Sequence, residues 1–233
     1  MTGLPPEMIH HILFSFDTSA RDVLHTALTC HQIYASIFGM LGAESEYDLD
    51  QMRAKKGVYE CAARGWVRAA RMALSRGYGD PSVVHNYALN WAARKGHSDL
   101  VGDLLSDPRV DLRWGASKAV QACAKNGHVE TLIILLADPR VDPDGNDNYA
   151  IRLAADKGHA EIVSLLLADY RVDPTGHRNY ALAYAAARGH VDVVALLLAD
   201  PRVDPMARNG YAFRAATRNN HVDVLDLLRS HQQ

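Results

Sequence analysis

Residues 135–159, LLADPRVDPDGNDNYAIRLAADKGH, return 31 positions later as LLADYRVDPTGHRNYALAYAAARGH at 166–190. Glycines at 65, 96, 127, 158 and 189 keep the same step of 31, and Asn220 continues it. Histidine follows at 97, 128, 159, 190 and 221, with Trp66 in the first copy. Aspartates at 107, 138, 169 and 200, and again at 111, 142, 173 and 204, keep the register. A fixed period of this size marks an array of stacked supersecondary units, each too small to bury its own apolar face.

Each unit reads as two short helices. The first is expected to start at an N-cap residue, Asn86, Ser117, Asn148, Asn179 or Gly210, whose oxygen, where it has one, satisfies a first-turn N–H. Apolar residues then recur at helical spacing, as in Ala150, Leu153, Ala154 and Ala181, Tyr184, Ala185. A cation closes the helix at Arg64, Lys95, Lys157 and Arg188, and the glycine that follows suits a left-handed stop. The second helix carries an acid in its first turn, at Asp99, Glu130, Glu161, Asp192 and Asp223. Its apolar stripe is Ile162, Leu165, Leu166 or Val193, Leu196, Leu197, and Asp-Pro ends it at Pro108, Pro139 and Pro201. The last copy carries Thr217, Asn219, Asp226 and Arg229, a polar set suited to an open end.

The stretch NYALAYAAARGHVDVVALLLAD, with its paired alanines, Gly-His and Leu-Leu-Leu, resembles the ankyrin repeat, whose helices read roughly TPLHxAAxxGHxEVVxLLL. Tyr180-Ala181 stands where that family has Thr-Pro, and Asn90, Arg152 or Ala183 where it has His. The likeness covers residues 56–233 in about six copies, the last a truncated cap. The period of 31 is two short of the family's 33, and the loss falls in the loop that carries its β-hairpin, so DPRVDPDGNDN is expected as an extended turn.

Residues 1–42 break the period. LPPEMIHHILFSF reads as a proline-started amphipathic helix, and two more are expected before Gly39 and Gly42. With Leu4, Pro5, Glu7, Ile12, Leu13 and Cys30 in matching places, this stretch resembles the F-box, a three-helix motif. That resemblance implies that Leu4, Pro5, Ile9, Ile12 and Leu13 grip the adaptor subunit of a cullin-type ubiquitin ligase. A competing reading makes the same helices a cap on the first repeat. The expected fold is therefore all-α: a small F-box-like motif over 1–42, a connecting helix or linker over 43–55, and a solenoid of stacked helix-turn-helix, ankyrin-like repeats over 56–233, with short or degenerate hairpin loops.

Composition narrows the function. Apolar residues make up 48% of the chain, enough for a core, and 25 basic against 27 acidic residues leave a net charge of −2. No basic tract suggests nucleic acid. Three dispersed cysteines, Cys30, Cys61 and Cys123, support neither a disulfide framework nor a zinc site. MTGLPPEMIHHILFSF makes a poor signal peptide and no apolar run suits a membrane helix, so an intracellular protein, cytoplasmic and/or nuclear, is expected. No GxSxG, HExxH or phosphate-binding glycine loop occurs, and no enzyme or cofactor is expected.

The in-register histidines cannot share an ion. Stacked helices stand about 8–10 Å apart, against about 2 Å for a zinc ligand. No metal is expected, and each histidine is read as an anchor at the entry to the second helix. The arginines at 109, 140, 171 and 202 are read as loop locks on nearby aspartates, and Tyr87, Tyr149, Tyr180 and Tyr211 as helix-start packing. Lys118 interrupts the tyrosine series and marks an irregular third copy. Trp91 and Tyr184 share one slot that could face core or groove, and Trp114 could pack on a loop or meet a target.

Residues that vary between otherwise identical copies are the candidate target contacts. They are Arg113, Trp114, Asp144, Asn146, Asp147, His177, Arg178 and Arg208 in loops, with Asn90, Arg152 and Arg214 on helices. The expected function is protein binding, as a substrate receptor docked on a cullin-type ligase. The alternative is a non-enzymatic repeat scaffold with no ubiquitin link.

Overall fold

A computed structural model describes Val58, Ala62 and residues 67–75, 77, 80–113 and 115–231. The 1–42 motif and the 43–55 connection lie outside the described residues, as does Trp114. The described chain is all-helical, with no strand among the described residues. It runs α1 Val67–Ser75, α2 Val83–Lys95, α3 Ser98–Ser106, α4 Ala116–Asn126, α5 Val129–Ala137, α6 Gly145–Lys157, α7 Ala160–Ala168, α8 Gly176–Arg188, α9 Val191–Leu198, α10 Ala207–Arg218 and α11 Val222–Ser230. From α2 onward each described copy is helix, turn, helix, and the loops between copies hold no strand among the described residues, where the shortened period removed the hairpin.

The described residues divide into two compact units, one of those up to 91 with 103–111, the other of 92–102 with those from 112 to 231. In the second, α4, α6, α8 and α10 pack in series, as do α5, α7, α9 and α11, and each first helix also packs on its own second helix. This is the stacking that the period demanded. Ala154, Ala155, Ala185 and Ala186 are completely buried where first helices meet, and Ile162, Leu166, Val194 and Leu197 are equally buried between second helices.

The apolar seam is offset from the expected one. Ile151 and Leu182 are 1% exposed, whereas Leu153 is half-buried and Tyr184 is 38% exposed. On the second helices Val163 and Val194 are buried, and Leu165 and Leu196 only half so. A period-3.6 pattern admits either of two adjacent rows, and the neighbouring copies select between them.

First helices end in a Schellman arrangement. His159 N–H donates to Ala154 O at 3.0 Å and Gly158 N–H to Ala155 O at 3.4 Å, with Gly158 at φ +75°. Each histidine ring also reaches back one copy: Nε2 of His128, His190 and His221 lies 3.0, 3.1 and 3.1 Å from the carbonyl oxygens of Arg94, Asp156 and Ala187. A Cβ on Gly158 would meet the His190 ring at 2.6 Å, so the glycine clears space for the next copy's histidine as well as taking the left-handed turn. The histidine series is a ladder of anchors between copies.

The starts of the first helices differ from expectation. None of α6, α8 and α10 shows a side-chain cap hydrogen bond. Instead three consecutive residues, 146–148, 177–179 and 208–210, turn left-handed, with φ between 52° and 67°. Asn tolerates that region better than most side chains. The buried Asn148 then serves the following copy: its Oδ1 accepts the Asp173 N–H at 2.7 Å. Asn179 accepts from Asp204 N–H at 3.3 Å, and in the first unit Asn86 donates to Asp111 O at 2.6 Å. These asparagines are loop clamps and not N-caps. The third copy has Ser117 at this register; Ser117 lies inside α4, and among the described residues before that helix only Gly115, at φ +82°, is left-handed.

The loop arginines hold as expected. Arg140, Arg171 and Arg202 each fork onto the aspartate two residues back, at 2.5, 2.6 and 2.7 Å. Arg171 also donates to Val141 O and Leu136 O of the preceding copy, and Arg202 to Val172 O. In the first unit Arg109 does the same with Asp107 and Leu74 O, and Arg71 pairs with Asp103. Tyr170 replaces the proline of the other copies, yet Asp169 keeps the same extended backbone as Asp138. The Asp–Arg fork therefore shapes this loop without help from proline.

The hydrogen bond from each arginine holds Asp107, Asp138, Asp169 and Asp200 below the usual carboxylate range. A carboxyl whose pKa is lower folded than unfolded adds stability above the unfolded value and loses it as pH falls through the folded one. Urea midpoints are accordingly expected to hold steady down to about pH 4 and to drop below it. Asp169→Asn is expected to flatten that acid limb; an acid limb identical to wild type would show that the fork contributes nothing.

Candidate functional site

The left-handed turns and first-helix starts place a run of polar and aromatic side chains along the second unit. Asp147 and His177, on the turns of neighbouring copies, approach to 2.9 Å between Oδ2 and Nε2. His177 meets the edge of Tyr180 at 5.8 Å between centroids, and Tyr180 stacks on Tyr184 at 5.1 Å. Arg208 lies over Tyr180 at 4.0 Å and over Tyr211 at 5.1 Å, and Arg214 lies over Tyr211 at 5.7 Å. One copy earlier Arg152 covers Tyr149 at 4.9 Å.

The variable helix positions turn out to be tied to the fold. Arg152 donates to Asn146 O at 3.2 Å, and Arg214 to Arg208 O at 3.2 Å and to Asn209 O. In the first unit Asn90 donates to His85 O at 3.1 Å. All three satisfy carbonyls of the turn that opens their own helix, because a left-handed start leaves those oxygens outside the helical ladder. Copy-to-copy variation at this slot is thus a choice among donors of different reach. Ala183 donates nothing, and Gln121 reaches forward to Gly145 O.

Among the loop candidates, Asn146, Asp147, His177 and Arg178 are exposed, as are Arg113 and Asp144. Partial desolvation of its carboxyl, followed by the charge of Asp142, pushes Asp144 above its usual range. Arg208 is half-buried, and its Nη1 is shut from solvent without an acceptor. Leu4, Pro5, Ile9, Ile12, Leu13 and Trp114 lie outside the described residues.

The tyrosines were assigned to helix-start packing, and the structure gives them a surface as well. Tyr149 and Tyr184 are 40% and 38% exposed, while Tyr180 and Tyr211 are half-buried under arginine. A tyrosine with arginine three residues on, at 149/152 and 211/214, is the sequence signal that marks them, since that spacing shares one helix face. Trp91, in the slot equivalent to Tyr184, is also half-buried.

Cys123 is fully buried, which pushes its thiol up to about 12 and keeps it protonated. No cluster of three or more His, Cys, Asp or Glu residues able to hold a metal occurs among the described residues. No described helix is long and apolar enough to cross a membrane.

The family model described as ankyrin repeats (3 copies) matches residues 89–177 and 151–233, more than half of the sequence. The chain belongs to the ankyrin-repeat family. Among solved structures, the ankyrin repeat protein EF0377 is similar at TM-score 0.63 and 23% identity, over 74% of this chain and 96% of that one. The human ASB11 ankyrin repeat domain is similar at TM-score 0.62 and 20% identity, over 77% of this chain and 85% of that one. No curated protein sequence matches. Ankyrin repeats make this chain a protein–protein interaction module, and the family is generally a non-enzymatic binding scaffold.

Proposed function

We propose that this ankyrin-repeat chain is a target receptor, in which residues 56–233 bind a partner protein and residues 1–42 dock on the adaptor of a cullin-type ubiquitin ligase, joined by 43–55. The observation that supports target binding is the run of half-exposed tyrosines and arginines from Asp147 to Arg214. Tyr and Arg are the residue types that dominate protein interfaces, through large rigid area and multiple donors. Support for the ligase link is the sequence likeness alone, carried by Leu4, Pro5, Ile9, Ile12 and Leu13. The mechanism would be proximity: one body holds a target lysine near a transferase supplied by other subunits. Such a receptor works inside the cell, in the cytoplasm and/or the nucleus.

Co-precipitation with the ligase adaptor tests the link. Wild type is expected to recover the adaptor and Leu13→Asp to lose it. Equal recovery, or none from either, would leave a repeat scaffold without a ubiquitin role.

A further inference from the structure

Several guanidinium groups of the second unit are already neutralised. Arg140, Arg171 and Arg202 hold their loop aspartates, Arg188 holds Asp156 at 3.0 Å, and Arg229 holds Asp226 at 3.1 Å. Arg208 and Arg214 are held differently. Neither meets a carboxylate among the described residues: Arg208 rests on two tyrosine rings, and Arg214 on one ring and two backbone carbonyls. Arg178, on the preceding turn, is exposed with no partner among the described residues.

The aromatic arrangement at this place is also particular to it. In the neighbouring copies Tyr149 and Tyr211 are covered by an arginine three residues on. At Tyr180 that position is Ala183, so Arg208 from the next copy covers the ring instead, and Tyr184 stacks behind it, 38% exposed. The result is a flat stacked pair of rings edged by uncompensated positive charge.

We infer that Tyr180, Tyr184, Tyr211, Arg208 and Arg214 form the docking surface for an acidic, extended peptide segment of a partner protein. The inference rests on the protein-binding reading above and names the chemistry of what is bound. Carboxylates of the segment would meet the N–H groups of the two guanidinium ions that the turn carbonyls do not take, on the side away from the enclosed Arg208 Nη1, in charge-assisted hydrogen bonds. Its apolar or aromatic side chains would lie on Tyr184, whose ring is already held by Tyr180 and loses little entropy on binding. Charge complementarity selects the acid, and the neighbouring loop selects a peptide over nucleic acid. Asp142, Asp144 and Asp147 are exposed one copy away, and they would repel a continuous phosphate backbone. A peptide can place its acids against Arg208 and Arg214 and avoid that end.

The test is a selection with phage-displayed random dodecapeptides on the full chain, repeated on R208Q/R214Q. Selected peptides are expected to be rich in Asp and Glu, to bind wild type more weakly at high salt, and to bind the double variant at least about tenfold more weakly, the equivalent of about 1.4 kcal/mol. Circular dichroism melts check that the variant is folded. If it is not, Arg178→Glu, at a side chain with no contacts to lose, is expected to weaken the same peptides, and Tyr184→Ala likewise. Enriched peptides without excess acid, or bound equally by all variants, overturn the acidic surface and leave the receptor reading standing. Recovery of no peptide at all overturns both. A single-stranded oligonucleotide of equal charge is expected to bind at least tenfold more weakly than the peptides, and tighter binding would transfer the site to nucleic acid.

Discussion

Leu166→Ala is expected to lower unfolding stability by about 2–5 kcal/mol, the range for emptying a well-packed leucine site. Leu166 is completely buried in α7, which packs against α5 on one side and α9 on the other. Neither neighbour can collapse into the cavity without leaving its own hairpin partner. Leu228 is also completely buried, in α11, but among the described second helices the packing neighbour of α11 is α9. Leu228→Ala is therefore expected to cost less, because a helix with one such described neighbour can shift toward the cavity. Urea melts of the two variants, followed by far-UV circular dichroism, give the comparison. A larger loss for Leu228 would contradict one-dimensional stacking.

Asn148 is the second sensitive position, and two substitutions separate its two roles. Asn148→Ala places an ordinary side chain at φ +57° and leaves the Asp173 N–H without its 2.7 Å acceptor. The left-handed backbone costs about 1–2 kcal/mol, and leaving this part-buried donor unsatisfied at most about 1–3 kcal/mol. A total of about 2–5 kcal/mol is expected. Asn148→Gly restores the backbone freedom and loses only the acceptor, so it is expected to recover about half of the loss. Equal losses for Ala and Gly would mean that the left-handed turn carries no strain. A loss under about 0.5 kcal/mol for Ala would show that the clamp between copies is dispensable.

How far each result could be read from residues alone differs between positions. Leu166 was on the expected stripe because a leucine at that register recurs every 31 residues. Asn148 was recognised as special, but for the wrong partner. Asn before an apolar helical run satisfies the N-cap rule; its actual acceptor target, the Asp173 N–H, belongs to the next copy and is 25 residues away. The same limit applies to the binding face. Arg152 and Arg214 varied between copies and so read as free, although each satisfies the carbonyls of a turn whose handedness the sequence did not announce.

Periodicity by itself determined the helix pairs, their glycine stops, the Asp–Arg loop locks and the ankyrin-type stacking, because each is a local signal repeated in register. Contacts between one copy and the next settled the rest: which of two adjacent helical rows is buried, where the asparagine side chains bond, and that Arg208 covers the ring left bare by Ala183. Those outcomes depend on where a neighbouring backbone passes within a few ångströms, and no spacing along a single chain encodes that distance directly.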